Sequence, residues 1–294
     1  MAHLPAVHYT QTDTVPSLAY YDSGGNAPAL VFLHGLASNH TVWQANFAFL
    51  SRYYRCLAPD LPGHGLSDKG NHPYNIPFYA ETIRQWLQGL GLKQCTVVAH
   101  SMGAQALIYL LDQHPELPID RIVLVAPAGF ERFSLADSLL IKQVASVQAF
   151  GASQYMQQLL RWRQYLRPEN SSQKPKYVLD LEADWFDMER NIEIYRVLSR
   201  SMIGMIDAPI FDKLSRVTQP TLVLFGEKDK LIPNPMLYNG QKTADIARQG
   251  AAQLPNSTLK IYENSGHFLP CQWPERFNIE VYRFLNPTLF APNS

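Results

Sequence analysis

Short apolar runs alternate along this chain with longer stretches in which apolar side chains recur at three- and four-residue spacing. The runs ALVFL (29–33), YRCLA (54–58), CTVVA (95–99), RIVLVA (121–126), TLVLF (221–225) and TLKIY (258–262) are rich in Val, Leu, Ile or aromatics, which predicts buried strands. Residues 77–90 and 103–113 carry the helical period, and Pro274 followed by ERFNIEVYRFL predicts a last helix with proline in its first turn. Strands apolar on both faces, separated by amphipathic segments, predict an α/β fold: a mostly parallel central sheet with helices on both sides. The stretch AVHYTQTDTVPSLAYYDSGG reads instead as two strands joined by a turn, expected at an antiparallel edge of the sheet.

From about residue 130 to about 215 the strand pattern gives way to helix-like text, including SLADSLLIKQVASVQAF, ASQYMQQLLRWRQYL and WFDMERNIEIYRVLSRSM. This predicts a helical cap, residues 131–215, inserted into a core built from residues 1–130 and 216–294. Within it, RPENSSQKPK (167–176) has turn formers and no apolar period and reads as a loop. NGQKTADIARQGAAQL, between Pro233 and Pro255, is expected to be a further helix flanking the site.

Composition narrows the field. Hydrophobic residues make up 46% of the 294, enough for a sizeable core, and 25 basic residues balance 25 acidic ones. Without a long run of either sign, nucleic acid and other polyanions are not expected as partners; a small molecule is. Cys56, Cys95 and Cys271 lie far apart and form no CxxC, so neither a disulfide framework nor a zinc knuckle is indicated. No apolar run nears the roughly 20 residues of a membrane span and no leader pattern opens the chain, so a cytoplasmic monomer or homodimer is expected. The nine histidines contain no H-E-x-x-H or comparable ligand spacing, and neither a metal nor a cofactor is expected.

Candidate chemistry sits at strand ends. CTVVA runs into His100-Ser101-Met102-Gly103, and a helix follows at once. A serine on a sharp strand-to-helix turn stands exposed at the carboxyl end of the sheet, and only small residues fit two positions to either side. Here these are Ala99 and Gly103, alanine taking the place of the first glycine in G-x-S-x-G. Taken alone, Ser101 reads equally well as a helix N-cap. Asp229, after TLVLF, could be a turn residue of a charged tetrapeptide, and His267, after TLKIY, an ordinary loop histidine. Their joint order, Ser, Asp, His, each just past a strand, points to nucleophile, orienting carboxylate and general base. After ALVFL, His34-Gly35-Leu36 is either a plain glycine turn or one that aims the Leu36 N–H at a substrate oxygen, with the Met102 N–H as second donor. Each such donor is typically worth about 3 kcal/mol in the transition state.

HGLAS, DLPGHGLSD, AHSMG, FGEKD and SGHF, in that order, resemble the α/β-hydrolase superfamily, specifically its cap-bearing serine hydrolases, across residues 20–130 and 215–290. The resemblance implies an acyl-enzyme mechanism on Ser101, His267 and Asp229, an oxyanion hole from Leu36 and Met102, and a mainly structural role for DLPGHGLSD at 60–68. Serine at the elbow argues against relatives that use aspartate there, the haloalkane dehalogenases and epoxide hydrolases. The cap holds Phe133, Trp162, Tyr165, Trp185, Phe186, Met202 and Met205, which divide between an apolar pocket and cap packing; Trp162 and Trp185, with His34, Gly35 and Phe268, are the pocket candidates. Three activities fit: hydrolysis of a small apolar ester or thioester, carbon–carbon hydrolysis of a ring-cleavage dienoate, and ligand reception with vestigial turnover. Phe268 stands where the carbon–carbon hydrolases often carry tryptophan, which favours the first.

Overall fold

A computed structural model describes residues 7–146, 188–234, 237 and 240–290, with side chains in the helix that begins at Met188 described from residue 193. Eight strands form one sheet: β1 Val7–Thr10, β2 Leu18–Asp22, β3 Ala29–Leu33, β4 Arg55–Pro59, β5 Cys95–His100, β6 Ile119–Val125, β7 Thr221–Gly226 and β8 Ser257–Tyr262. Their order is β1-β2-β4-β3-β5-β6-β7-β8. The two N-terminal strands pair antiparallel with each other and β2 with β4, while all pairs from β4 to β8 are parallel. From β3 the chain steps outward to β4 and returns across β3 to β5. The order therefore reverses between β3 and β5, the place where open α/β sheets leave a crevice at their carboxyl ends.

Strand limits differ from the sequence pattern where pairing or backbone overrides hydropathy. The sixth strand begins at Ile119 because that residue pairs with Cys95 across a register irregularity, and stops at Val125 because Ala126 adopts a left-handed φ of 41°. The fourth lies one residue later than the apolar run.

Seven helices matter for the site: α1 Gln44–Leu50, α2 Ile76–Gly89, α3 Met102–Gln113, α4 Leu135–Ala145, α5 Met188–Asp207, α6 Thr243–Ala251 and α7 Pro274–Leu285. The second starts at Ile76 because the Asn75 side chain caps it, accepting from the Phe78 N–H at 2.9 Å. Alternate side chains of the strands enter opposite layers. Val31, Leu33, Val97 and Ala99 pack with Trp86 of α2, Leu107 of α3 and Ile246 of α6. Leu30, Phe32 and Val98 face Phe47 of α1 and Phe277 and Val281 of α7, with Trp43 between them. Each such large apolar side chain, fully buried, contributes about 1.5–3 kcal/mol.

Between β6 and β7 the described regular elements are helices. The fourth helix opens with a reciprocal capping box between Ser134 and Asp137. It packs on α5 through Ala145, Tyr195, Leu198 and Met202, and this small cluster also receives Leu36 and Ala37 from the segment after β3. Gln105 of α3 fixes the carboxyl end of α5, donating to the Met205 and Ala208 carbonyls at 2.7 and 2.9 Å. Tyr79 of α2 bonds Ser201 of α5 at 2.7 Å. Trp162, Tyr165, Trp185, Phe186 and the loop expected at 167–176 lie outside the described residues. Among the described residues, no helix is long and apolar enough to cross a membrane.

Candidate active site

Ser101 heads α3 at the carboxyl end of β5 with φ 51° and ψ −118°, a conformation that costs a non-glycine residue about 1–3 kcal/mol and persists only when its surroundings enforce it. Several contacts do so. Its N–H donates to the Val125 carbonyl at 3.0 Å, and its own carbonyl accepts from Ala104, Gln105 and Ala128 at 3.0, 3.2 and 3.2 Å. Gly103 lies so close beneath β3 that a Cβ there would sit 2.5 Å from the His34 carbonyl oxygen. Gly35 is equally constrained, since an added Cβ would come within 3.0 Å of both the Ser101 Cβ and the His100 Nδ1. These two glycines allow the β3 turn to lie against the serine. Among the described residues neither the Leu36 nor the Met102 N–H has an intramolecular acceptor, and both segments border Ser101.

Asp229 and His267 come from the loops after β7 and β8 and are both buried. His267 Nδ1 lies 2.8 Å from Asp229 Oδ2, while Asp229 Oδ1 accepts from the Leu231 and Ile232 N–H groups at 2.8 and 3.1 Å. Because the carboxylate can only accept, Nδ1 carries the hydrogen and Nε2 keeps its lone pair. The two loops meet at Gly226, where a Cβ would fall 2.4 Å from the Ser265 and Gly266 carbonyls. The Lys228 N–H donates to Ser265 O and the Gly266 N–H to Gln272 Oε1, both at 2.8 Å.

One of the sequence-derived pocket residues is placed elsewhere. His34 is fully buried, with Nδ1 donating to the Gly35 carbonyl at 2.7 Å and Nε2 accepting from the Leu61 N–H at 2.9 Å, so it fastens the β3 turn to the loop after β4 rather than lining a cavity. Burial lowers its pKa, so it serves as a neutral linker. Phe268 is partly exposed, packs on the α1–α7 side of the sheet and meets the His100 and His267 rings at 5.2 and 5.3 Å. Gly35 does border Ser101, whereas Trp162 and Trp185 fall outside the described residues.

His100, which the sequence pattern gave no role, donates from Nε2 to the His267 carbonyl at 3.0 Å and lies against the His267 ring, tilted by 55° at 4.7 Å between centroids. Burial holds its imidazole neutral, its pKa well below the usual histidine range. The signal was its place beside the serine, but only the folded loop reveals its partner. In the 60–68 loop, Asp60 accepts from the His40 and Leu66 N–H groups at 2.7 and 2.8 Å and pairs with His40 Nδ1 at 2.8 Å. Gly65 leaves room for that carboxylate, since a Cβ would lie 2.1 Å from it. The loop is thus stitched to the segment after β3. Among the described residues, no group of three or more His, Cys, Asp or Glu side chains is arranged to hold a metal ion.

Residues 28–271 match the family model described as the alpha/beta hydrolase fold, and the chain belongs to that family. An uncharacterised protein of Mycobacterium tuberculosis is 27% identical over 290 residues, covering 90% of this chain and 77% of that protein. A non-heme chloroperoxidase of Kitasatospora aureofaciens is 27% identical over 277 residues, 91% of this chain and 95% of its own length. In three dimensions the chain resembles an esterase from Exiguobacterium antarcticum with a TM-score of 0.72 at 20% identity, covering 95% of this chain and 98% of the esterase.

Proposed function

We propose that this protein is a serine hydrolase that cleaves a small, largely apolar carboxylic ester or thioester through an acyl-enzyme. The observation that carries the reading is the enforced left-handed backbone of Ser101 at the β3–β5 crevice. His267 Nε2 takes the Ser101 proton as Oγ adds to the substrate carbonyl, and the Leu36 and Met102 N–H groups hold the oxyanion. The imidazolium returns that proton to the leaving oxygen or sulfur, leaving the acyl group on Ser101. Water, deprotonated by the same histidine, then releases the acid. Asp229 keeps the Nδ1–H tautomer in place and stabilises the imidazolium, while His100 and Phe268 hold the histidine loop. On this reading the insertion between β6 and β7 serves as the enzyme's cap.

Two assays test this together. A fluorophosphonate should form its adduct on Ser101; peptide mapping that finds it elsewhere, or no adduct in folded protein, overturns the scheme. Hydrolysis of p-nitrophenyl esters from acetate to decanoate should peak at one chain length and vanish in Ser101→Ala. Labelling without ester turnover would move the assignment to carbon–carbon hydrolysis or ligand reception.

A further inference from the structure

The loops after β6 and β7 leave the sheet side by side, because the two strands are paired through Val125 and Leu224. The second of these loops carries Asp229; the first carries Glu131, six residues beyond the end of β6 and otherwise unused by the proposed mechanism. Glu131 Oε1 accepts the Asn234 N–H at 2.7 Å. That bond crosses to the same segment whose Leu231 and Ile232 N–H groups hold Asp229. Two carboxyl groups therefore grip one loop, Asp229 from within and Glu131 from the neighbouring strand end.

We propose that Glu131 is a positioning residue for the acid loop, and that its ionisation sets the reactivity of Ser101 by placing a second negative charge behind the Asp229–His267 pair. The proposal rests on the serine-hydrolase reading above. Physical chemistry supports it independently of that bond. Burial pushes the Glu131 carboxyl up to about 7, the Asn234 hydrogen bond opposing and the Asp229 charge adding to the effect. Among the described residues, the charged group that acts on Glu131 is Asp229, from the β7 loop. The adjacent Arg132 is engaged with Asp212 at 2.7 Å and lies over the Phe211 ring, turned toward the segment before β7. Near neutral pH Glu131 thus gains its charge as pH rises. An ionised Glu131 favours the imidazolium that forms as Ser101 attacks, so the ionised form is the faster one.

The test is the rate of fluorophosphonate labelling of Ser101 across pH 5–9, which reads serine reactivity without requiring the natural substrate. Wild type should rise through two ionisations on the acid side, Glu131→Gln through one, with the variant roughly tenfold slower at pH 8, as expected for losing one negative charge near the imidazolium that forms. Glu131→Asp retains a carboxyl and should recover the second ionisation, which a purely structural role would not predict. If wild type itself rises through a single ionisation, or the wild-type and Gln profiles superimpose, the proposal is overturned while the serine-hydrolase reading stands. Absence of labelling in folded wild type overturns both.

Discussion

Asp229 satisfies three donors with two oxygens: the Leu231 and Ile232 N–H groups on one, His267 Nδ1 on the other. Asparagine at this position could keep the loop bonds through its carbonyl oxygen, but would turn an NH2 toward Nδ1 and favour the wrong imidazole tautomer. On the proposed mechanism Asp229→Asn lowers kcat by about 10⁴ with the melting temperature nearly unchanged, a pairing of readouts that separates tautomer control from folding. An active, well-folded variant would mean that another group orients His267. The three proposed catalytic side chains were legible in the sequence because each follows an apolar run in a fixed order. The parts played by His100 and His34 were not, because whether an imidazole faces a ligand or a backbone group depends on side-chain direction after the loops dock. Glu131 escaped for the same reason: its partner Asn234 lies 103 residues away.

At the scale of elements, α5 is joined to the core by apolar packing of Val197, Leu198 and Met202 and by polar side chains acting as clamps. Gln105, one turn past Ser101, uses its amide to satisfy two carbonyls at the end of α5, Met205 and Ala208, that no further helical turn can reach. Leucine fills nearly the same volume but leaves both carbonyls unpaired, each at about 1–3 kcal/mol. Gln105→Leu should therefore lower the melting temperature by roughly 5 °C and speed tryptic cleavage after Lys213 and Arg216, which follow α5 and are themselves held by Asp112 at 2.5 and 2.6 Å. Unchanged melting and cleavage would show that apolar packing alone seats the helix. Strands were read from the sequence to within one or two residues because burial on both faces leaves continuous Val, Leu and Ile runs. The helices between β6 and β7 were legible as helices but not as a packed arrangement: the contact of α5 with Leu36, and the Gln105 clamp, join residues remote in sequence.

The whole molecule responds to acid through imidazoles that it buries neutral. Burial lowers the pKa of His34, takes that of His64 down to about 3, and holds His100 well below the usual histidine range. In the unfolded chain each titrates near 6.5, so below that pH the unfolded state binds up to three more protons than the folded one. More protons on the unfolded state mean that stability falls as pH falls. Glu131 acts with the opposite sign: with its folded value raised to about 7 from an ordinary 4.5, the folded state holds one extra proton between those values, and stability rises as pH falls. Between pH 6 and 5 proton uptake by the unfolded chain's histidines outweighs the one extra proton on folded Glu131, so stability falls, each proton of difference being worth about 1.4 kcal/mol per pH unit. Burial opposes the charged form of Asp60, but its bonds from His40 and Leu66 more than offset this, lowering its pKa, so its contribution is lost only at still lower pH. Urea denaturation at pH 7, 6 and 5 should show the midpoint falling progressively at constant m-value. Glu131→Gln removes the opposing proton and should steepen the fall by about 1.4 kcal/mol per pH unit. A midpoint independent of pH over this range would mean that the three histidines are not held neutral in the folded protein.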